Sequence, residues 1–177
     1  MMKSVVEELL TSLDILMETH NLDELEPEAP VCVDRLLQEA DAFIWYYWLP
    51  EPVLGISTTL KGDGGITLNR ELMEVERSAD YRYASAHEFG HLFRQHCGQY
   101  IVYSTEGRQI EATWRRKTNR KMDEREADIV AAYILVRRKA VEKMKKEEME
   151  ADYVAALLDV PKYLVELRWH LYVKYGR

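Results

Sequence analysis

The first forty residues of the chain carry two helical patterns separated by a loop. Ser4 followed by Glu7 predicts a capping box, and apolar residues then recur at helical spacing up to about His20. An acidic loop punctuated by prolines covers residues 21–30, and Val31 to Glu39 predicts a second short helix. The inward positions predicted for these two helices are Val6, Leu9, Leu10, Leu13, Met17, Val33, Leu36 and Leu37.

Between Ala42 and Leu68 the pattern becomes that of β-strands. The run from Phe43 to Trp48 is aromatic and β-prone, and Val53 to Leu60 is a second candidate strand. The glycines in Lys61 to Gly65 predict a turn, and Ile66 to Leu68 follows as a third strand. These runs predict a small three-stranded sheet, antiparallel or mixed.

The chain after Asn69 has a helical pattern, apart from Gly98 to about Asn119. We find no internal repeat and no composition shift that marks a domain boundary. The sequence therefore predicts a single α+β domain over residues 1–177, mostly helical, with a C-terminal helical pair at 148–177 that could form a small subdomain. The predicted helices are Ser78–His96, Met122–Lys145, Glu148–Leu158 and Pro161–Tyr175.

Composition narrows the classes of function. Apolar residues make up 47% and charged residues 31% of the chain, as in ordinary soluble globular proteins. The net charge of -7 does not favour nucleic-acid binding. The N-terminal segment lacks the apolar core of a signal peptide, and no apolar run reaches the length of a membrane span, so we expect a cytoplasmic protein. Cys32 and Cys97 are too few for a disulfide framework or a zinc ribbon.

One short motif carries chemistry: His87-Glu88-Phe89-Gly90-His91 matches His-Glu-x-x-His. Residues four apart on a helix share a face, so both imidazoles can bind one metal ion. Glu88 lies beside the first ligand, where it can accept a proton from water at the metal. The alternative is a pair of core histidines, which would leave two imidazoles beside a buried carboxylate with no ion to compensate them. Gly90 costs about 1 kcal/mol relative to Ala in a helix, and we expect it to admit another backbone, such as a strand above the site.

A catalytic zinc takes a third protein ligand and keeps one position open. Glu124 and Asp128 lie four apart at the acidic start of the next helix, so Glu124 can bind the metal while Asp128 hydrogen-bonds the far nitrogen of a histidine ligand. Glu126 is the alternative ligand, although it points roughly 160° away around the helix axis. We expect His96, five residues past His91, to point away from the metal-binding face. Zinc is the default ion for two histidines and a carboxylate, and Mn²⁺ or Fe²⁺ also suits such a site.

The residues around the motif carry more information than the motif itself. They are Ala86 to Phe93 around the motif, then Glu124-x-x-Ala127-Asp128-x-x-Ala131-Ala132-x-Ile134-Leu135, with 65–69 before them and 153–161 and Arg168 after them. Together they resemble the ImmA/IrrE family of metallopeptidases. The resemblance implies a zincin-like fold with a third ligand of the gluzincin type. It also implies cleavage of a helix-turn-helix repressor, which derepresses genes of a mobile element, a prophage or a stress response. Two features differ from that family: Arg137-Arg138 stand where it usually has a proline, and the segment from Trp114 to Lys121 is longer and basic.

The predicted function is thus that of a zinc endopeptidase acting on a protein substrate. Tyr100, Tyr103 and His96 are candidates for stabilising the oxyanion, by proximity in sequence alone, and Ile66 to Leu68 could bind substrate backbone by strand addition. The alternative is a non-catalytic regulatory module that binds a protein partner or DNA through its C-terminal helices, with the basic residues of 115–121 as phosphate contacts. We expect neither a membrane nor direct DNA binding, and nothing in the sequence indicates an oligomeric state.

Overall fold

The structure is a computed structural model, which describes residues 4–24, 26–50, 53–60, 63–74, 78–96, 101–103, 109–111 and 120–177. These residues form seven α-helices, one three-stranded sheet and one two-stranded sheet, which confirms the predicted α+β, mostly helical class. The helices are α1 Val5–Thr19, α2 Val33–Glu39, α3 Ser78–Phe93, α4 Arg120–Leu135, α5 Arg138–Glu147, α6 Ala151–Leu158 and α7 Lys162–Tyr175. The strands are β1 Phe43–Tyr47, β2 Gly55–Leu60, β3 Asp63–Asn69, β4 Ile101–Tyr103 and β5 Gln109–Glu111, and two short 3₁₀ helices cover Leu22–Glu24 and Arg70–Met73.

The two N-terminal helices form as their patterns predict. Ser4 Oγ accepts a hydrogen bond from the Glu7 backbone N–H at 3.2 Å, and the Glu7 carboxylate accepts one from the Ser4 N–H at 2.8 Å. This capping box satisfies two of the backbone donors that a helix start leaves without an internal partner. Both apolar stripes then point into the core. The buried positions are Leu9, Leu10, Leu13 and Met17 on α1, and Val33, Leu36 and Leu37 on α2.

The three-stranded sheet has the order β1-β3-β2, with β1 parallel and β2 antiparallel to β3. β3 begins at Asp63, so the turn predicted over Lys61 to Gly65 is wrong for its last three residues. Gly65 lies within β3, where the absence of a side chain makes room for Trp45. A Cβ at Gly65 would lie 2.4 Å from the Trp45 ring. The prediction that Ile66 to Leu68 receives substrate by strand addition is also wrong, since β3 is central and both of its edges are paired. β4 and β5, which pair antiparallel, were not predicted.

Helix α4 is the most deeply buried helix among the described residues. It contacts α3 along its length and packs against α1 and α7 on its other sides. The segment from Ile129 to Val136 is almost free of solvent contact. Surrounded in this way, an apolar run needs no polar face. The pair of α3 and α4 therefore holds the candidate site on closely packed helices.

Gly90 lets the backbones of α3 and α4 approach each other. A Cβ at Gly90 would lie 2.9 Å from Ala127 Cα and 3.0 Å from the Ala127 carbonyl oxygen. Close approach of another backbone is therefore confirmed, but the element is helix α4 and not the strand that the sequence suggested. An amphipathic pattern identifies a buried face without identifying the element that covers it.

We expect Gly90→Ala to destabilise the fold by about 2 kcal/mol, because an added methyl in a packed interface forces backbone shifts. The same change at an exposed helical position would stabilise by about 1 kcal/mol, so the sign of the effect is diagnostic. The free energy of unfolding in urea is the measurement. Gly64→Ala is the control, since a Cβ there meets only the flexible end of Leu92, at 3.3 Å. Stabilisation by Gly90→Ala would contradict the close approach.

The single helix predicted from Met122 to Lys145 is wrong, because the chain breaks between α4 and α5. Arg137 leaves the helical conformation, with φ -63° and ψ 159°. This φ is also the value that proline imposes. The Arg137 side chain turns inward, only 1% exposed, toward the loop that follows α1.

Helices α6 and α7 add residues to the same hydrophobic cluster as α1 and α4. Trp169 and Tyr172 also pack against this cluster, with their rings 6.2 Å apart. Among the helices that the structure describes, none has the length and apolar character to cross a membrane. The buried residues contributed by this C-terminal pair are Val154, Ala155, Leu158, Leu164, Val165, Arg168 and Leu171.

Candidate metal centre

Three side-chain atoms from α3 and α4 converge on one point. His87 Nε2 lies 3.1 Å from His91 Nε2 and 3.2 Å from Glu124 Oε2, and His91 Nε2 lies 3.6 Å from the same oxygen. The two histidines are one helical turn apart on α3, and Glu124 lies in the first turns of α4. The close packing of the two helices at Gly90 brings the carboxylate to the imidazoles.

These separations match those of donor atoms around a zinc ion. Ligands held about 2.0–2.1 Å from a tetrahedral zinc stand about 3.3 Å apart, and the three distances here lie on either side of that value. Two imidazoles and one carboxylate are also a donor set that zinc accepts. The histidine side chains are 11% and 12% exposed, whereas Glu124 is 48% exposed. The site is therefore open to solvent on the Glu124 side.

His87 Nδ1, the ring nitrogen away from the three donor atoms, faces the Asp128 carboxylate and the Tyr83 hydroxyl. Asp128 Oδ1 lies 2.9 Å from His87 Nδ1 and accepts a hydrogen bond from Tyr83 Oη at 3.1 Å. Tyr163 of α7 packs edge-on against Tyr83, with ring centroids 5.5 Å apart. Burial lowers the pKa of His87, but the hydrogen bond to Asp128 and the neighbouring negative charges outweigh it, so that the pKa is raised. Burial, together with the Asp128 charge, raises the pKa of Tyr83 to about 12, so its hydroxyl remains a donor.

Glu88 is held between α3 and the sheet. Its side chain is 8% exposed, and Ser57 on β2 is close enough to lower its pKa. Burial raises the pKa of Glu88 to about 7, against the lowering effects of His87 and Ser57. Gly55 provides the space, because a Cβ there would lie 2.8 Å from Glu88 Cγ. Gly55 and Ser57 of β2 thus border the carboxylate beside the first histidine.

His96 lies on the side of His91 away from the three donor atoms, so the prediction that it points away from the metal-binding face is confirmed. Its contact with the His91 ring was not predicted. Helix α3 ends at Phe93, and Gln95 adopts a left-handed conformation with φ 55°. The His96 N–H then bonds to the His91 carbonyl at 2.9 Å, in the pattern of a helix-ending motif. The two Nδ1 atoms come to lie 3.2 Å apart.

Glu126 faces away from the three donor atoms. Its carboxylate accepts a hydrogen bond from Arg94 Nε at 2.6 Å and lies 3.4 Å from His96 Nε2. The pKa of His91 is lowered, mainly by burial and then by the neighbouring His87. The lower pKa favours the neutral ring that a metal requires. Of the two glutamates that the sequence offered as third ligand, the structure brings Glu124 to the histidines and leaves Glu126 beside Arg94.

Some residues of interest lie outside the described ranges or had no clear sequence signal. Tyr100, the side chain of Tyr103 and the basic residues 115–119 lie outside the residues that the structure describes. Tyr83 was not predicted, although its position four residues before His87 on the same helix would indicate a contact. Ser57 had no sequence signal, because its contact depends on how β2 lies against α3.

No protein-family model, no curated protein and no solved structure matches this chain.

Proposed function

We propose that this protein is a zinc-dependent endopeptidase. The observation that supports the proposal most directly is the trio of donor atoms from His87, His91 and Glu124, at mutual distances of 3.1, 3.2 and 3.6 Å. Glu88 stands next to one of these ligands and is shielded from solvent. A structural zinc site has four protein ligands, whereas a catalytic one has three and an open position. The described residues offer three.

A zinc ion held by these residues would polarise a peptide carbonyl and make water more acidic. The remaining chemistry belongs to the chain itself. Glu88 is the general base that takes a proton from the attacking water, and it returns that proton to the leaving amine. Gly55 on β2 leaves room for the carboxylate, and Ser57 on the same strand favours its ionised form. Asp128 orients His87, and Tyr83 in turn orients Asp128.

The geometry also favours a place for an extended substrate. Within the described residues, β2 pairs with β3 on one side only. Gly55 places β2 beside Glu88, so a peptide that added a strand to the outer edge of β2 would pass close to the general base. Strand addition, which the sequence suggested for β3, is therefore proposed for β2.

We further propose that the substrate is a helix-turn-helix repressor of a mobile element, a prophage or a stress response, as the ImmA/IrrE resemblance implies. The support is the arrangement of the residues that carry this resemblance. Glu124 lies beside the Nε2 atoms of both histidines and Asp128 beside Nδ1 of His87, and the C-terminal pair contributes Tyr163 to the contacts behind Asp128. Lys162 of α7 does not favour the DNA-binding alternative, because it is paired with Asp152 and lies 3.8 Å from Glu166.

The first test is the zinc content of the purified protein after zinc is supplied and excess metal removed, measured by elemental analysis. We expect about one zinc per chain in the wild type, since the site has a single set of three ligands. Glu124→Gln removes a ligand charge and is expected to lose most of the bound zinc. Glu166→Gln is the matched control, because it makes the same chemical change on α7, at a position where 57% of the side chain is exposed.

Equal loss in both glutamine variants would contradict the assignment of Glu124. Absence of zinc from the wild type would overturn the proposed function as a whole. Circular dichroism spectra distinguish loss of metal from loss of fold, since all variants should retain the same helical signal.

A further inference from the structure

His96 lies behind His91, on the side away from the three donor atoms. The Nδ1 atoms of the two rings are 3.2 Å apart, and their centroids are 5.4 Å apart. On its far side, His96 Nε2 lies 3.4 Å from Glu126 Oε2 and 3.7 Å from Asp123 Oδ1. The imidazole of His96 is 11% exposed. A row of groups thus leads from His91, through His96, to two carboxylates of α4.

The two Nδ1 atoms can form a hydrogen bond only if one carries a proton and the other a lone pair. A neutral His91 that binds a metal through Nε2 carries its proton on Nδ1, so it must be the donor. His96 must then accept through Nδ1 and carry its own proton on Nε2. That nitrogen faces Glu126 and Asp123, whose ionised carboxylates accept hydrogen bonds and cannot donate them.

We propose that His96 is a positioning residue, which fixes the ring orientation and tautomer of His91 so that the Nε2 lone pair faces the metal. The inference rests on the proposed function, because it takes His91 as a metal ligand. A ligating histidine commonly donates its second N–H to a carboxylate, as His87 does to Asp128. At His91 an imidazole is inserted between the ligand and the carboxylate. Arg94 holds that carboxylate of Glu126 from the other side, at 2.6 Å.

Two readouts test this role, and one of them needs no metal. The first is the tautomer of His91 in the metal-free, ¹⁵N-labelled full chain, from long-range proton–nitrogen NMR correlations. The second is the zinc dissociation constant, from competition with a chromophoric chelator. In the wild type we expect His91 to carry its proton on Nδ1.

The informative variants are His96→Leu and His96→Asn. His96→Leu removes the acceptor, so His91 should lose its preference for the Nδ1 proton and zinc affinity should fall about 10- to 100-fold, as for other supporting partners of metal ligands. His96→Asn returns an acceptor oxygen near the former Nδ1 and should recover the tautomer and most of the affinity. A purely structural role would not be restored by so small a side chain. His170→Leu, at an exposed position of α7, is the control and should change neither readout.

The outcomes separate this inference from the proposed function. If His96→Leu folds, binds zinc as tightly as the wild type and leaves the His91 tautomer unchanged, the positioning role is wrong and the metal site stands. If the wild type binds no zinc, the proposed function fails, and the tautomer comparison alone decides the role of His96. If His96→Leu does not fold, His96→Asn is the variant that tests the inference. A changed His91 tautomer in His96→Asn would then overturn it.

Discussion

Replacing Glu88 by Gln is expected to reduce peptide cleavage by at least about 10³-fold, within the range that general acid–base catalysis contributes. The amide has nearly the shape of the carboxylate, so it can still fill the space left by Gly55 and contact Ser57. It cannot accept a proton from water. Because Glu88 is not among the three converging donors, zinc content should stay at the wild-type level. Mass spectrometry of a mixed peptide library, incubated with zinc-loaded protein, measures cleavage and does not require the natural substrate to be identified.

Glu166→Gln is the matched control for this variant, because it makes the same change on an exposed part of α7, where 57% of the side chain is exposed. It should leave cleavage and zinc content unchanged. Cleavage by Glu88→Gln at the wild-type rate would remove Glu88 from the mechanism. Loss of zinc from Glu88→Gln would show instead that the carboxylate supports the metal site, and the activity loss would then say nothing about proton transfer.

Local patterns predicted most of the fold. The capping box at Ser4 and the apolar stripes of α1 and α2 depend on residues within one or two helical turns, so the sequence contains them directly. The order of the strands does not depend on such local patterns. Long-range pairing decides whether β3 lies at the centre or at the edge of the sheet. The break at Arg137 was missed for a related reason, because arginine is a good helix former and only its partners in a distant loop explain the change of direction.

In the candidate site, too, contacts within one helix could be predicted from the sequence and contacts between distant segments could not. The spacing of His87 and His91 indicates a shared helix face, and the spacing of Glu124 and Asp128 does the same on α4. Ser57 comes from a strand whose register against α3 no local signal sets. The contact of His96 with His91 could not be predicted, because the sequence suggested a helix that continues to His96, whereas Gln95 takes a left-handed conformation without the glycine that usually indicates such an end.

The largest expected effect on stability is at Arg137. Its guanidinium donates to the carbonyl oxygens of Leu22 at 3.3 Å, Glu26 at 2.6 Å and Ala29 at 2.5 Å. Backbone carbonyls that lose such a partner in a buried place each cost free energy of about 1–3 kcal/mol. Removing the buried charge recovers part of this cost, so we expect Arg137→Met to lower the free energy of unfolding by about 3 kcal/mol.

Arg138→Met is the matched control, since the neighbouring side chain is 56% exposed and pairs with Glu142 one turn along α5. Exposed pairs of this kind contribute about 0.3–0.5 kcal/mol, so the two variants should differ several-fold in denaturant unfolding. The loop that holds the three carbonyl groups should also become a faster site of limited proteolysis in Arg137→Met alone. Equal stabilities for the two variants would mean that the loop does not depend on the guanidinium. Arg137 would then supply only a permissible φ at the break between α4 and α5, and no anchoring contact.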